Sequence, residues 1–488
     1  MTSLETSKTP LPTRRVAIEQ VSRVEGHGKV TLLLDEQGHV HQARLHIVEF
    51  RGFERFIQGR PYWEVPVMVQ RLCGICPVSH HLAASKALDV VVGAKVLTPT
   101  AEKVRRLMHY GQMLQSHALH FFHLASPDLL FGFDSEVAKR NVVGVVAAFP
   151  GLAKQGVLLR KFGQEVIRLT AGKRVHGTGS VPGGVNKSLS RDERDELLAS
   201  LPDVLQWARA GVELVKGLHA RNAALYESFG TVRSSLLSLV GAGGRLDFYD
   251  GTLRARDADG KVLFDGVDPR TYRQHLDEEV KPWSYMKFPY LTSLGAERGW
   301  YKVGPLARVQ NCDLIHTPLA EAERQAFRDA HGGTVVHAPL AYHWARLIEL
   351  LHAAEVVGEL LRDDDVMGDT LFTSGDRVGE GVGVIEAPRG TLIHHYKVDA
   401  DDLVTMCNLI VSTTHNNQAM NEAIRSVAAE YLDRKTLTEG LLNHLEVAIR
   451  AFDPCLSCAT HALGAMPLQV ELLDAGGALV DRATREGR

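Results

Sequence analysis

Two Cys-x-x-Cys pairs, Cys73/Cys76 in RLCGICPVSHH and Cys455/Cys458 in DPCLSCATH, stand near opposite ends of a 488-residue chain and hold four of its six cysteines. The thiolate is the form of cysteine that binds metal, and four of them suit a soft ion: zinc, copper(I), an iron-sulfur cluster or nickel. Taken singly, each pair also reads as half a zinc site or as a thioredoxin-like redox pair. Zinc ribbons hold their pairs about 15 to 20 residues apart, whereas here almost the whole chain must fold to bring the pairs together. That favours a soft metal at the centre of a large domain, with structural zinc and a transient disulfide as the alternatives. Cys312 and Cys407 have no partner at ligand spacing and read as small buried hydrophobes.

The neighbours of the pairs narrow this. Arg23-Val24-Glu25-Gly26-His27-Gly28, Arg51-Gly52-Phe53-Glu54, Arg71-Leu72-Cys73-Gly74-Ile75-Cys76, Glu386-Ala387-Pro388-Arg389-Gly390 and Asp453-Pro454-Cys455-Leu456-Ser457-Cys458-Ala459-Thr460-His461 occur in that order. In these motifs, over nearly its whole length, the chain resembles nickel-iron hydrogenase large subunits. Cys76-Pro77-Val78-Ser79-His80-His81, Met286-Lys287-Phe288-Pro289-Tyr290-Leu291 and Gly304-Pro305-Leu306-Ala307-Arg308 resemble the cytoplasmic, NAD-reducing branch more than the periplasmic uptake enzymes.

The resemblance implies a nickel held by four cysteinates, two of them bridging to an iron that carries carbon monoxide and cyanide. Cys73 and Cys455 would be the terminal ligands, and Cys76 and Cys458 the bridges. It implies that Glu25 carries the proton, since splitting hydrogen needs a base beside the metals. Arg389 would hang over their open face, preceded by Pro388 as a rigid turn element. A buried guanidinium needs counter-charge, and the implied partners are Asp128 and Asp453. Thr413 would offer a hydroxyl to a cyanide, and His80 a hydrogen bond to a sulfur. Glu54, His461 and the Leu409 carbonyl would hold a magnesium ion; oxygen donors suit that metal, whereas a histidine nitrogen is not its usual choice.

No further cysteine cluster exists for an iron-sulfur relay, and no Gly-x-Gly-x-x-Gly follows a strand to hold a nicotinamide. Partners are therefore expected to do both: a small subunit with an iron-sulfur cluster, and diaphorase subunits with FMN and NAD. The family also implies nickel-insertion proteins and a maturation endopeptidase that cuts after His461. The rival readings are the same chemistry with a deazaflavin or other acceptor, a non-hydrogenase relative serving a membrane or quinone-linked complex, and a zinc-stapled scaffold. Relatives of the second kind lack one or both cysteine pairs.

Positioning such a site takes a large framework, and the composition, 45% hydrophobic and 23% charged, is that of an ordinary globular protein. A net charge of −3 with interspersed signs gives no positive field for nucleic acid. No apolar run reaches the length of a membrane span, and residues 1–15 lack the apolar core of an export signal, so a cytoplasmic location is expected. Those residues read as a disordered lead, 16–461 as one catalytic domain, and 462–488 as an extension removed on maturation, with a small hairpin around Gly476-Gly477. Thr98 and Pro99 open one long helix, and Ser190 with Glu193 forms a capping box ahead of another to about Ser228. Further helices are expected over 136–169, 340–361, 417–431 and 438–451. Hairpins are expected around Gln37-Gly38 and Asp259-Gly260. The expected fold is mainly α: a long-helix core of the large-subunit type with small peripheral β-hairpins.

Overall fold

The computed structural model describes residues 14–19, 21–35, 37, 39–47, 52–281, 283–432, 438–456, 468–473 and 479–485. Its frame is a set of long helices, Pro99–Leu119, Pro150–Ala171, Arg191–Arg221 and Ala341–Leu361, of which the first packs on the second and the fourth. Ala341–Leu361 is buried around nearly its whole circumference, with His343, Arg346, Glu349 and His352 among its buried residues, and lies at the centre of the core. Each fully buried Leu or Ile on it contributes about 1.5–3 kcal/mol relative to exposure.

The starts of these helices are set by chemistry that the sequence carries. The Thr98 hydroxyl accepts from Ala101 N at 3.1 Å ahead of Pro99, and both hydrogen bonds of the Ser190/Glu193 capping box form. Two expected helices are interrupted. The 136–169 run divides into Val142–Ala148 and Pro150–Ala171, because Pro150 has no N–H to donate and forces Phe149 out of helical geometry. The helix from Ser190 stops at Arg221, where Asn222 takes an extended φ of −147° before the short helix Ala223–Ser228.

The β structure is larger than expected and part of it is interior. Gly28–Leu34 and Val40–Ile47 form the expected hairpin, but within a five-stranded sheet. Its order runs Leu479–Arg485, Leu468–Leu473, Arg14–Glu19, Gly28–Leu34, Val40–Ile47. Arg14 and Arg15 are thus strand residues rather than part of a disordered lead; residues 1–13 lie outside the described residues. The hairpin around Asp259-Gly260, Thr252–Arg256 with Val262–Val267, joins Ser235–Val240 and Tyr301–Lys302 in a four-stranded sheet.

A third sheet, Glu380–Ala387, Gly390–Val398 and Val404–Ile410, is antiparallel and had no counterpart in the sequence reading. It is not peripheral: every residue of its central strand except Lys397 is buried, and its first strand lies against the helix Pro77–Val91. The approach is close enough that a Cβ on Gly383 would sit 2.3 Å from the Ala83 carbonyl oxygen, so only glycine fits.

Candidate metal centre

Cys73 ends a single 3-10 turn, Val69–Leu72, and Cys76 is the residue from which the helix Pro77–Val91 starts. The Cys76 N–H donates to Cys73 Sγ at 3.0 Å, so the first thiol lies at a helix N-terminus, where the helix dipole favours negative charge. Gln112 and Gln115, on one face of the Pro99–Leu119 helix, both donate to the Ile75 carbonyl, at 3.0 and 2.8 Å, and fix the loop between the cysteines. Neither glutamine stood out in the sequence, since a pair at helical spacing resembles any polar face.

Cys455 arrives from the other end of the chain, just after the helix Glu439–Ala451. Its N–H donates to Thr413 Oγ1 at 3.0 Å, and the next N–H, of Leu456, to the Glu25 carbonyl at 2.8 Å. Thr413, in the short helix Ser412–His415, therefore positions a cysteine directly. Cys73 Sγ lies 2.8 Å from Cys76 Sγ and 3.3 Å from Cys455 Sγ; all three residues are buried, and their sulfurs fall within 4.8 Å of one another. Hydrogen bonds from Cys455 and Cys73, together with burial, raise the Cys76 thiol well above its usual value. Three buried thiols this close cannot ionise together unless a cation joins them, so the donor set fits a soft metal. Cys458 and His461 lie outside the described residues.

Arg389, in the two-residue turn between the paired residues Ala387 and Gly390, is near enough to interact electrostatically with all three cysteines. Gly390 turns at φ +139° where a Cβ would meet Val303 Cγ2 at 2.2 Å, which makes glycine the residue the turn requires. The Arg389 guanidinium, 3% exposed, donates to Asp453 Oδ1 at 2.9 Å and to Ser116 Oγ at 3.3 Å. Burial alone would lower its pKa, but Asp453 and the nearby cysteines lift it well above the ordinary value. Burial raises Asp453 in turn, against the pull of Arg389 and Arg346. Asp453 adopts φ +55°, a left-handed conformation that a non-glycine residue keeps only where its surroundings hold it.

Asp128 is not the second partner of Arg389. Its carboxylate receives Arg23 Nη2 at 2.6 Å, Arg450 Nη1 and Asn443 Nδ2, with Arg140 Nε at 3.6 Å. Three arginines occupy it, and it braces the Ser22–Glu25 segment, since Arg450 also donates to the Ser22 carbonyl at 3.0 Å. The hydroxyl of Ser116 takes the place the sequence reading gave to Asp128; a lone serine in a helix carries no signal that could have marked it.

Glu25 pairs its backbone with Cys455 and borders a cavity of about 530 Å3 whose walls include Gly74, Gln112, Gln115 and Arg160. His80, expected to bond a sulfur, meets His394 Nε2 at 3.2 Å, and His394 meets the Tyr396 hydroxyl at 2.6 Å. The Pro388 carbonyl accepts from Arg308 at 3.3 Å. Further out, Glu54 Oε1 accepts from the Leu409 N–H at 3.0 Å and lies 3.4 Å from Lys287 Nζ, which also reaches Glu278 Oε2 and Asn408 Oδ1 at 3.3 Å. Burial pushes the Glu278 carboxyl up despite that lysine. The Lys287 ammonium thus has three oxygens around it, from Glu54, Glu278 and Asn408; oxygen is the donor type magnesium takes.

The family described as nickel-dependent hydrogenase matches residues 51–132 and 248–461, and one described as HoxL-like matches 15–50. The chain is 50% identical over 487 residues to the beta subunit of the NAD-reducing hydrogenase HoxS of Cupriavidus necator, spanning 97% of this chain and 100% of that protein. It is 44% identical over 415 residues to a protein of the vhu F420-non-reducing hydrogenase of Methanocaldococcus jannaschii, spanning 85% and 98% respectively. A crystal structure of an NAD+-reducing NiFe-hydrogenase in the H2-reduced state superposes with a TM-score of 0.90 at 62% identity, covering 92% of this chain and 100% of that one.

Proposed function

Because the chain belongs to the nickel-dependent hydrogenase family, we propose that it is the catalytic large subunit of an NAD-reducing hydrogenase, oxidising hydrogen reversibly to two protons and two electrons. The observation that carries the reading is the meeting of Cys73, Cys76 and Cys455, drawn from both ends of the chain, within electrostatic reach of the buried Arg389. These three with Cys458 would hold a nickel-iron centre whose iron carries carbon monoxide and cyanide. When bound, that centre supplies the heterolytic cleavage of dihydrogen and the redox steps that follow.

The chain's own residues do the rest. Arg389, held by Asp453 and Ser116, keeps a fixed positive charge over the sulfurs and excludes water from their open side. Thr413 and the Glu25 carbonyl hold the Cys455 strand in place. The Glu25 carboxylate accepts the proton and passes it toward the adjoining cavity, from which it reaches solvent. Glu25→Gln cannot relay a proton yet keeps the shape. It should leave nickel content unchanged and slow hydrogen-deuterium exchange by about 10²-fold, measured by mass spectrometry of the evolved gas; unchanged exchange removes Glu25 from the route.

Electrons have to leave through a partner. Among the described residues one cluster of potential metal ligands occurs, and Cys312 and Cys407 stand apart from it, with burial pushing the Cys312 thiol up to about 12. A small subunit carrying an iron-sulfur cluster fits the exposed apolar side chains Val142, Val143, Val146 and Val157 of two adjoining helices and Phe149 between them. Diaphorase subunits with FMN would pass the electrons to NAD. That acceptor is favoured over a deazaflavin by the full-length likeness to a relative named NAD-reducing. Glu54 and the Leu409 segment, with His461, would hold a magnesium ion beside the centre. No described helix is long and apolar enough to cross a membrane; the cytoplasmic location is proposed on the likeness to the NAD-reducing relative.

Elemental analysis of protein matured in its native host tests the whole reading. About one nickel and one active-site iron per chain are expected, as the thiolate set requires, with infrared bands from carbon monoxide and cyanide. Zinc in place of nickel would return the chain to the stapled-scaffold reading.

A further inference from the structure

Arg308 sits in the helix Pro305–Asn311, wholly buried, and each of its five N–H donors is engaged. Nε and Nη2 grip the two oxygens of Glu349, both at 2.6 Å, and Nη1 reaches Glu386 Oε2 at 2.8 Å. The remaining two donors go to backbone carbonyls: Nη1 to Ala387 at 2.8 Å and Nη2 to Pro388 at 3.3 Å. Those are the two residues that lead into Arg389. The anchor extends to both sides of the turn, because Glu386 Oε1 also accepts from Thr391 Oγ1 at 2.8 Å and from Leu239 N at 2.7 Å. It extends as well to the other support of Arg389: Glu349 meets His117 Nε2 at 3.0 Å, and His117 follows Ser116 in the helix.

We propose that Arg308 is a positioning residue, whose guanidinium holds the Ala387 and Pro388 carbonyls and thereby sets where the Arg389 side chain reaches over the cysteines. A two-residue turn has no side-chain packing of its own to fix the direction of its second residue. Two hydrogen bonds from a buried cation that is itself clamped by two carboxylates do fix it. Lysine could not replace it, because a single ammonium cannot bridge both carboxylates and both carbonyls. The role of Arg389 in this proposal rests on the hydrogenase reading; the fixing of the turn does not.

Two measurements on the full chain separate the two. In the first, amide hydrogen exchange of the 386–391 segment is compared in wild type, Arg308→Lys and Arg105→Lys. Arg105 is an equally buried arginine, paired with Asp89 at 2.6 and 2.9 Å rather than with the 386–391 turn, and serves as the control for general loosening. Arg308→Lys should speed exchange in this segment and Arg105→Lys should not. In the second, hydrogen oxidation per bound nickel in the matured complex should fall about tenfold to a hundredfold in Arg308→Lys, the cost of displacing a catalytic group by about 1 Å. It should fall no further when Arg308→Lys is added to Arg389→Lys. If Arg308→Lys yields no folded chain, Glu386→Gln weakens the same clamp while keeping its shape, and the same pattern is expected at smaller amplitude. Unchanged exchange at 386–391, an equal change in the Arg105 control, or a full additional loss in the Arg389→Lys background would each overturn the proposal. Faster exchange with unchanged activity would overturn the link to Arg389 while leaving the anchor.

Discussion

An Arg389→Lys chain should mature with its full complement of nickel and oxidise hydrogen about 10³-fold more slowly per nickel, the scale of losing a preorganised donor aimed at developing charge. Lysine keeps the positive charge, so the pairing with Asp453 survives in part and the neighbourhood does not have to bury an unpaired carboxylate. What it loses is the planar fork that reaches Asp453 Oδ1 and Ser116 Oγ together from a turn only two residues long. The ammonium would point along one of those directions and leave the space over the sulfurs open to water. Ser116→Ala isolates the smaller part of this, a single neutral oxygen acceptor worth about 1 kcal/mol, and should cost far less activity than Arg389→Lys. Elemental analysis and hydrogen oxidation on the same preparations decide it: near-normal turnover with lysine at 389 would remove the guanidinium from catalysis.

Most of what the sequence revealed depends on local chemistry. Thr98 and Ser190 announce helix starts because a side-chain oxygen there accepts a specific backbone N–H, and both do so. The cysteine pairs announce a centre because few other arrangements use four thiols. The interior sheet carrying Arg389 was invisible for the opposite reason. Gly390–Val398 is buried on both faces, so it shows no alternation of polar and apolar residues. The partners of a buried charge are equally illegible: Asp128 and Asp453 are both buried aspartates near arginines, and only the packing of Arg23, Arg140 and Arg450 around Asp128 shows which is which.

The catalytically active chain should end at His461, and blocking the cut should leave hydrogen oxidation unmeasurable. Two described contacts carry the argument. The Leu456 N–H is bound to the Glu25 carbonyl at the metal centre. Beyond the link 457–467, the strand Leu468–Leu473 is paired along the strand Arg14–Glu19, in register from Arg15↔Leu473 to Glu19↔Gln469. While that ladder holds, the segment bearing Cys458 and His461 is tethered at both ends, one at the cysteines and the other in a sheet. Cutting His461-Ala462 would remove the second tether together with two of the five strands of that sheet. Hydrogen exchange gives an independent readout, because the amides of Arg14–Glu19 that face the departed strand lose their partners on processing and should exchange faster in the mature chain. Mass spectrometry of the active enzyme is the direct measurement, and a chain still ending at Arg488 with full activity would sink the processing model along with the tether that explains it.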